Sequence, residues 1–195
     1  MKVTLVQATQ NSKELITNAA SICYGKEEAK YPDRLLATLY NLGHHSVLEH
    51  VYFTWKIEGI SRACLAQLTR HRHASFTVES QRYTKYREGI DYVVPEEIAA
   101  IKSDKLEFEV YMESVQNYYN YLISTGHKAE DARAVLPNAT VTNLYMSCNL
   151  RELIHLHSVR SAKGAQQEIK DLIAKMIDLV VKDEPDLAFM FKEAK

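Results

Sequence analysis

Glycine and proline are scarce, at 6 and 4 of 195 residues. That scarcity excludes a long flexible linker. It also leaves no Gly-rich nucleotide fingerprint, which argues against a Rossmann-type oxidoreductase. The three cysteines, Cys23, Cys64 and Cys148, are odd in number and form no CxxC pair. Neither a disulfide framework nor a thiolate zinc site is expected, and each cysteine reads as a small buried hydrophobe in a reducing, cytoplasmic setting. No apolar run approaches the ~20 residues of a bilayer span. The sequence turns polar soon after Met1-Lys2-Val3-Thr4-Leu5, so neither a secretory leader nor a membrane partner is expected. An excess of one charge is lacking too: 24 basic and 25 acidic residues leave a formal net charge of -1. A general polyanion binder is more basic than this. No nucleic-acid partner is expected, and any anion site must be built by clustering a few cations.

What remains is an ordinary globular composition, 46% hydrophobic and 25% charged, with ample apolar surface to bury. The length suits a single domain over 1–195. Val3–Val6 reads as a short strand. Asn11 or Ser12 is placed to cap a helix towards Cys23, closed by Gly25, and Pro32-Asp33 opens a second helix stopped by Gly43. Between Val51 and Glu58 the pattern alternates, with Val51, Phe53, Trp55 and Ile57 on one side, as in a half-buried strand. Gly59 is expected to break that strand and Ser61 to cap the next helix. Ser75–Tyr86 reads as extended or loop. Phe108, Tyr111, Val115, Tyr119 and Leu122 recur at helical spacing within an expected helix over Ser103–Ser124. Asp131–Leu136 reads as a short helix and Val141–Met146 as a strand. Asn149 opens a helix to Arg160, and Ala165–Val181 forms the last. The fold class expected is α+β, a helix-rich domain around a small, mostly antiparallel sheet.

The densest polar cluster is Arg70-His71-Arg72-His73, followed by Ser75, Thr77, Glu79, Ser80, Arg82 and Tyr83. Guanidinium forks interleaved with hydroxyls suit phosphate, although a solvated basic turn has the same composition. Gly43-His44-His45-Ser46 with Glu49-His50 is a second cluster, and its spacing does not fit a helix-borne HExxH zinc site. On the helix from Asn149, Leu150, Leu153 and Ile154 share one face and Arg160 falls close to it. Such an arginine either snorkels to water or aims at a ligand. Arg151 and His155 sit four apart, spaced to grip one group together. A histidine-ligated metal hydrolase and an RNA-binding module that uses the arginine cluster are the alternative readings.

Together these clusters resemble the flavin-dependent thymidylate synthase family. Its signature, Arg-His-Arg, seven residues and Ser, stands here as Arg70-His71-Arg72 with Ser80, extended by Gln81-Arg82-Tyr83. Matching pieces are Gly43-His44 with Ser46, Glu49-His50, Gln67, Asp131-Ala132-Arg133-Ala134-Val135-Leu136-Pro137, Asn149-Leu150-Arg151-Glu152-Leu153 and Arg160. The resemblance implies a homotetramer with FAD as cofactor and active sites assembled from several subunits. It implies reductive methylation of dUMP to dTMP, with 5,10-methylenetetrahydrofolate as carbon donor and NADPH as reductant. It places Ser21, His44, Ser46, Glu49, Arg70, His71, Arg72, Asn149, Arg151 and His155 at the flavin. It places Gln67, Arg70, Ser80, Gln81, Arg82 and Arg133 at dUMP. Arg160 matches the arginine that stabilises ionisation of the uracil at N3, and no metal is implied. Val78 stands where many members carry Glu or Gln, with Glu79 one place later. A backbone contact survives that change and a side-chain contact does not.

Overall fold

The computed structural model describes residues 1–84, 86 and 88–192. The expectations for Ser75–Tyr86 and for a domain reaching residue 195 therefore run partly outside the described residues. In chain order the elements are β1 (Lys2–Ala8), α1 (Ser12–Ile22), α2 (Pro32–Asn41), β2 (Tyr52–Ser61), α3 (Arg62–Leu68) and β3 (Ala74–Val78). Then follow α4 (Glu96–Ala99), α5 (Lys102–Ser124), α6 (Ala129–Ala132), β4 (Val141–Asn149), α7 (Leu150–Arg160) and α8 (Gln167–Asp183). Short 3₁₀ helices cover His45–His50, Arg133–Val135 and Pro185–Phe191. The strands form one small antiparallel sheet in the order β1-β2-β4-β3. The helix-rich α+β class expected from the sequence is what the chain adopts.

The chain divides into two compact units. One comprises Val3–Ile57, His71–Phe76 and the chain from Tyr145 onward. Its core is built on the alternation of β2: Val51, Phe53, Trp55 and Ile57 are fully buried. Met146 and Cys148 of β4 join them, as do Leu150, Leu153 and Leu156 of α7 and Ile169, Leu172, Ile173, Met176 and Val180 of α8. The third leucine of α7 is Leu156 and not Ile154, which stays half-buried. Neither Asn11 nor Ser12 caps α1 with its side chain. Glu184, distant in sequence, accepts from the Asn11 and Ser12 backbone N–H groups at 3.0 and 3.1 Å. A carboxylate at a helix N-terminus satisfies orphan donors and the dipole at once.

The other unit comprises Met1–Lys2, Glu58–Arg70 and Thr77–Leu144. Its core is Met112, Val115 and Tyr119 of α5 with Ile90 and Ala132, flanked by Phe108 and Leu122. Tyr111 faces solvent instead, being 57% exposed. Gly59 does not break β2, which continues to Ser61. At φ +75 it takes the left-handed conformation that glycine tolerates. Its N–H donates to the Asn143 side-chain oxygen at 3.0 Å, so the ladder is replaced locally and not ended. Cys23, read as buried, is exposed at the end of α1, whereas Cys64 and Cys148 are buried.

Ser61 caps α3 as expected, its Oγ accepting from the Cys64 N–H at 3.0 Å in a buried setting. Ser61→Ala leaves that donor unmatched, and a loss of about 1–2 kcal/mol is expected. Urea denaturation at neutral pH measures it, and an unchanged midpoint would remove the cap from the account.

Candidate active site

The Arg-His-Arg segment and α7 meet through buried polar chemistry. Asn149 caps α7, its Oδ1 accepting from the Glu152 N–H at 2.9 Å. That cap fixes the helical phase and turns Glu152 inward beside Leu153. Glu152 and His71 have side chains only 8% and 5% exposed. Glu152 Oε1 lies 3.1 Å from His71 Nδ1, and Arg160 Nε donates to His71 Nε2 at 2.9 Å. A guanidinium only donates, so Nε2 must be the acceptor and the imidazole proton sits on Nδ1, donating to Glu152. His155 packs edge-on against the His71 ring at 5.8 Å.

In the same unit an open cleft of about 610 Å³ is lined by His45, Glu49, His73, Asn149, Arg151, Glu152, Ile154 and His155. Its size suits an organic ligand, and imidazoles, an amide and a guanidinium are suited to anionic and carbonyl groups. Arg151 Nη1 donates to Glu49 Oε1 at 2.6 Å, with both side chains about half exposed. His45 stacks on Tyr40, and its Nε2–H donates to the Tyr40 carbonyl at 3.1 Å. Among the described residues no group of three His, Cys, Asp or Glu side chains is gathered as a metal ion requires. No helix among them is long and apolar enough to cross a membrane.

The other unit gathers a second set of polar groups. Arg82 is ion-paired through Nε with Glu130, and Arg133 Nε donates to the Glu130 carbonyl at 3.1 Å. Two arginines far apart in sequence thus converge on one short helix. Ser80 Oγ accepts from the Arg82 N–H at 3.2 Å, and Gln67 Nε2 donates to the Ala63 carbonyl within α3. Glu79 is held by Asn143, whose Nδ2 donates to it at 2.6 Å.

The family model for thymidylate synthase complementing protein matches residues 4–186. The chain is 41% identical to the flavin-dependent thymidylate synthase of Geobacter sulfurreducens, over 92% of this chain and 82% of that one. The chain belongs to the flavin-dependent thymidylate synthase family. It is 38% identical to the Pyrococcus furiosus member, over 100% of this chain and 84% of the relative. Thymidylate synthase X from Helicobacter pylori, solved with FAD and dUMP, superposes with a TM-score of 0.79 at 25% identity, over 99% and 98% of the two chains. A UMP/dUMP methylase from Streptomyces cacaoi shares the fold, with a TM-score of 0.85 at 24% identity.

The positions carried over from the flavin-dependent thymidylate synthase pattern fall into sets. Glu49, Asn149, Arg151 and His155 line the cleft, whereas His44, Ser46 and Arg72 are exposed beside cleft-lining neighbours in sequence. Ser21 is buried in α1, its hydroxyl donating to the Thr17 carbonyl at 2.9 Å, and does not line the cleft. Gln67, Arg70, Ser80, Gln81, Arg82 and Arg133 all belong to the unit with the second polar set. Sequence reasoning placed His45 and His73 inside candidate binding clusters without singling them out, and gave no role to Glu152. The helical phase set by Asn149 was the available signal for Glu152: it lies one position before the buried Leu153, on the rim of the apolar face. For His45 and His73 no signal distinguished them from their neighbours.

Burial holds the His71 imidazole below its ordinary value of 6.5; the Glu152 hydrogen bond opposes this and the Arg160 charge adds to it. His71 is therefore neutral at neutral pH, and its contact with Glu152 is a hydrogen bond more than an ion pair. The unfolded chain takes up this proton more readily than the folded one. Its contribution to stability is accordingly present above pH 6.5 and lost as pH falls below it. Urea midpoints at pH 7.5 and 5.5 are expected to differ more for the wild type than for His71→Asn, which cannot titrate. Equal differences would show that His71 carries no such linkage.

Proposed function

We propose that this chain catalyses reductive methylation of dUMP to dTMP as a cytoplasmic homotetramer. FAD is the cofactor, 5,10-methylenetetrahydrofolate the carbon donor and NADPH the reductant. The observation that carries this reading is the convergence of the Arg-His-Arg segment on α7, where His71 meets Arg160 beside the cleft. The cleft residues fit a flavin: Asn149, Arg151, His155, His45 and His73 offer donors to ring carbonyls or a diphosphate, and Glu49 orients Arg151. When bound, FAD supplies the two-electron redox chemistry. Arg82 and Arg133 suit the nucleotide phosphate, with Gln67, Arg70, Ser80 and Gln81 as further nucleotide contacts.

Transfer of one carbon to C5 of uracil needs an electron-rich ring. Thiolate attack at C6 is one way to provide it. Burial pushes the Cys148 thiol well above its usual range, so it is no thiolate. Ser80 Oγ is met by the Arg82 N–H, a donor that takes no proton from it. The route left to these residues is stabilisation of negative charge on the ring, which the Arg160 guanidinium suits by pairing its planar fork with N3 and the adjacent carbonyl.

The purified protein is expected to take up FAD with a yellow absorption band. It should form dTMP only when dUMP, methylenetetrahydrofolate and NADPH are all present. A protein that stays colourless with added FAD would defeat the proposal. Arg160→Lys keeps a charge but loses the fork. It is expected to retain FAD and to form dTMP about 100- to 1,000-fold more slowly at saturating dUMP. Near-normal turnover would return Arg160 to a snorkelling role.

A further inference from the structure

We infer that Glu152 and His71 act as a positioning relay for Arg160, holding its guanidinium by the Nε edge. The inference rests on the proposed role of Arg160 at the uracil ring. Glu152 and Arg160 stand at opposite ends of one helix, eight positions or about 12 Å apart along the axis. Side chains on a helix lean towards its N-terminus, so Arg160 reaches back over α7. His71 spans the gap, with one ring nitrogen on each partner, at 3.1 Å to Glu152 and 2.9 Å to Arg160. His155 closes one side of the imidazole at 5.8 Å.

Each link constrains the next. The Glu152 carboxylate accepts only, so it selects the His71 tautomer with hydrogen on Nδ1. That leaves a lone pair on Nε2, the one form able to accept from Arg160. His71 takes this bond as a neutral acceptor. The bond uses Nε–H, not the two Nη groups that form the end-on fork. Without Glu152 the imidazole can take the other tautomer, and its Nε2–H then opposes Arg160 Nε–H. Loss of Glu152 is thus felt at Arg160, with two residues between the change and the reacting ring.

A double-mutant cycle on the FAD-loaded enzyme tests the relay, with Glu152→Ala and Arg160→Lys separately and together. Lysine has no Nε–H, and its ammonium, one atom further along the side chain, cannot offer His71 an edge bond and the substrate a fork at once. Glu152→Ala is expected to lower kcat for dTMP formation at least about 10-fold, by analogy with orienting partners in other sites. The KM for dUMP and the FAD content should stay within about 3-fold, since orientation is lost and not binding. In the Arg160→Lys background the same change should have less than about 2-fold effect, because the relay then has nothing to hold. Glu152→Gln keeps an oxygen acceptor for Nδ1–H and should remain within about 3-fold of wild type. A Glu152→Ala that is silent in kcat, or an effect that multiplies fully in the double variant, overturns the relay while leaving Arg160's own role standing. A silent Arg160→Lys overturns both. Should Glu152→Ala not fold, His71→Asn takes its place in the cycle: its amide reaches the Nδ1 position only, and the same non-additivity is required.

Discussion

A carboxylate and an imidazole buried side by side constrain most of what surrounds them. With less than a tenth of either side chain exposed, Glu152 and His71 must satisfy each other, since an unpaired polar group at that depth costs several kcal/mol. This demands that α7 begin at a fixed residue, because one position of slip rotates every side chain by about 100°. The chain enforces the start twice. Asn149 caps the helix through the Glu152 N–H. The Leu150 N–H donates to the Val51 carbonyl at 2.8 Å, tying the β4–α7 junction to the residue that leads into β2. β4 passes into α7 without an intervening loop, so strand register and helix phase are a single variable. The leucines of α7 set that phase from the apolar side and Glu152 sets it from the polar side.

This coupling explains what could be read from the sequence. Strong periodicities were legible: the alternation through Phe53, Trp55 and Ile57, the leucines of α7, and the caps at Ser61 and Asn149. Each is decided by residues within one element. The errors fall where a distant partner decides. Glu184 caps α1 from across the sequence in place of Asn11 or Ser12. Asn143 takes up the Gly59 N–H, and β2 therefore passes a glycine that ordinarily ends a strand. The role of Glu152 was hidden for the same reason, because its partner lies 81 positions away. The signature motif led to His71, but only the folded helix shows what His71 is for.

The near-zero net charge also acquires a local meaning. Arg151 is met by Glu49 and Arg82 by Glu130. Such exposed pairs contribute only ~0–1 kcal/mol each to stability. Their use is geometric: each holds a long side chain in one place before a ligand arrives, which lowers the entropy lost on binding. Arg160 is held differently, by a neutral nitrogen. Arg133 likewise donates through Nε to a neutral acceptor, the Glu130 carbonyl.

That difference bears on the proposed reaction. An uncharged acceptor fixes the guanidinium's direction, and a charge in a partly desolvated site acts more strongly than in water. With Cys148 held as a thiol by burial, the pyrimidine gains no electrons from a thiolate there. Negative charge at N3 must then be met by a cation already in place. A lysine would carry the same charge but lacks the planar fork that lets one edge meet His71 while the end faces a ligand. A histidine in place of Arg160 would not carry a permanent charge. An arginine held by its Nε edge combines permanent charge, fixed direction and a planar fork. The burial of His71 is what keeps the acceptor neutral. The same desolvation that makes the Glu152–His71 pair demanding to build thus keeps His71 in the neutral form that accepts from Arg160.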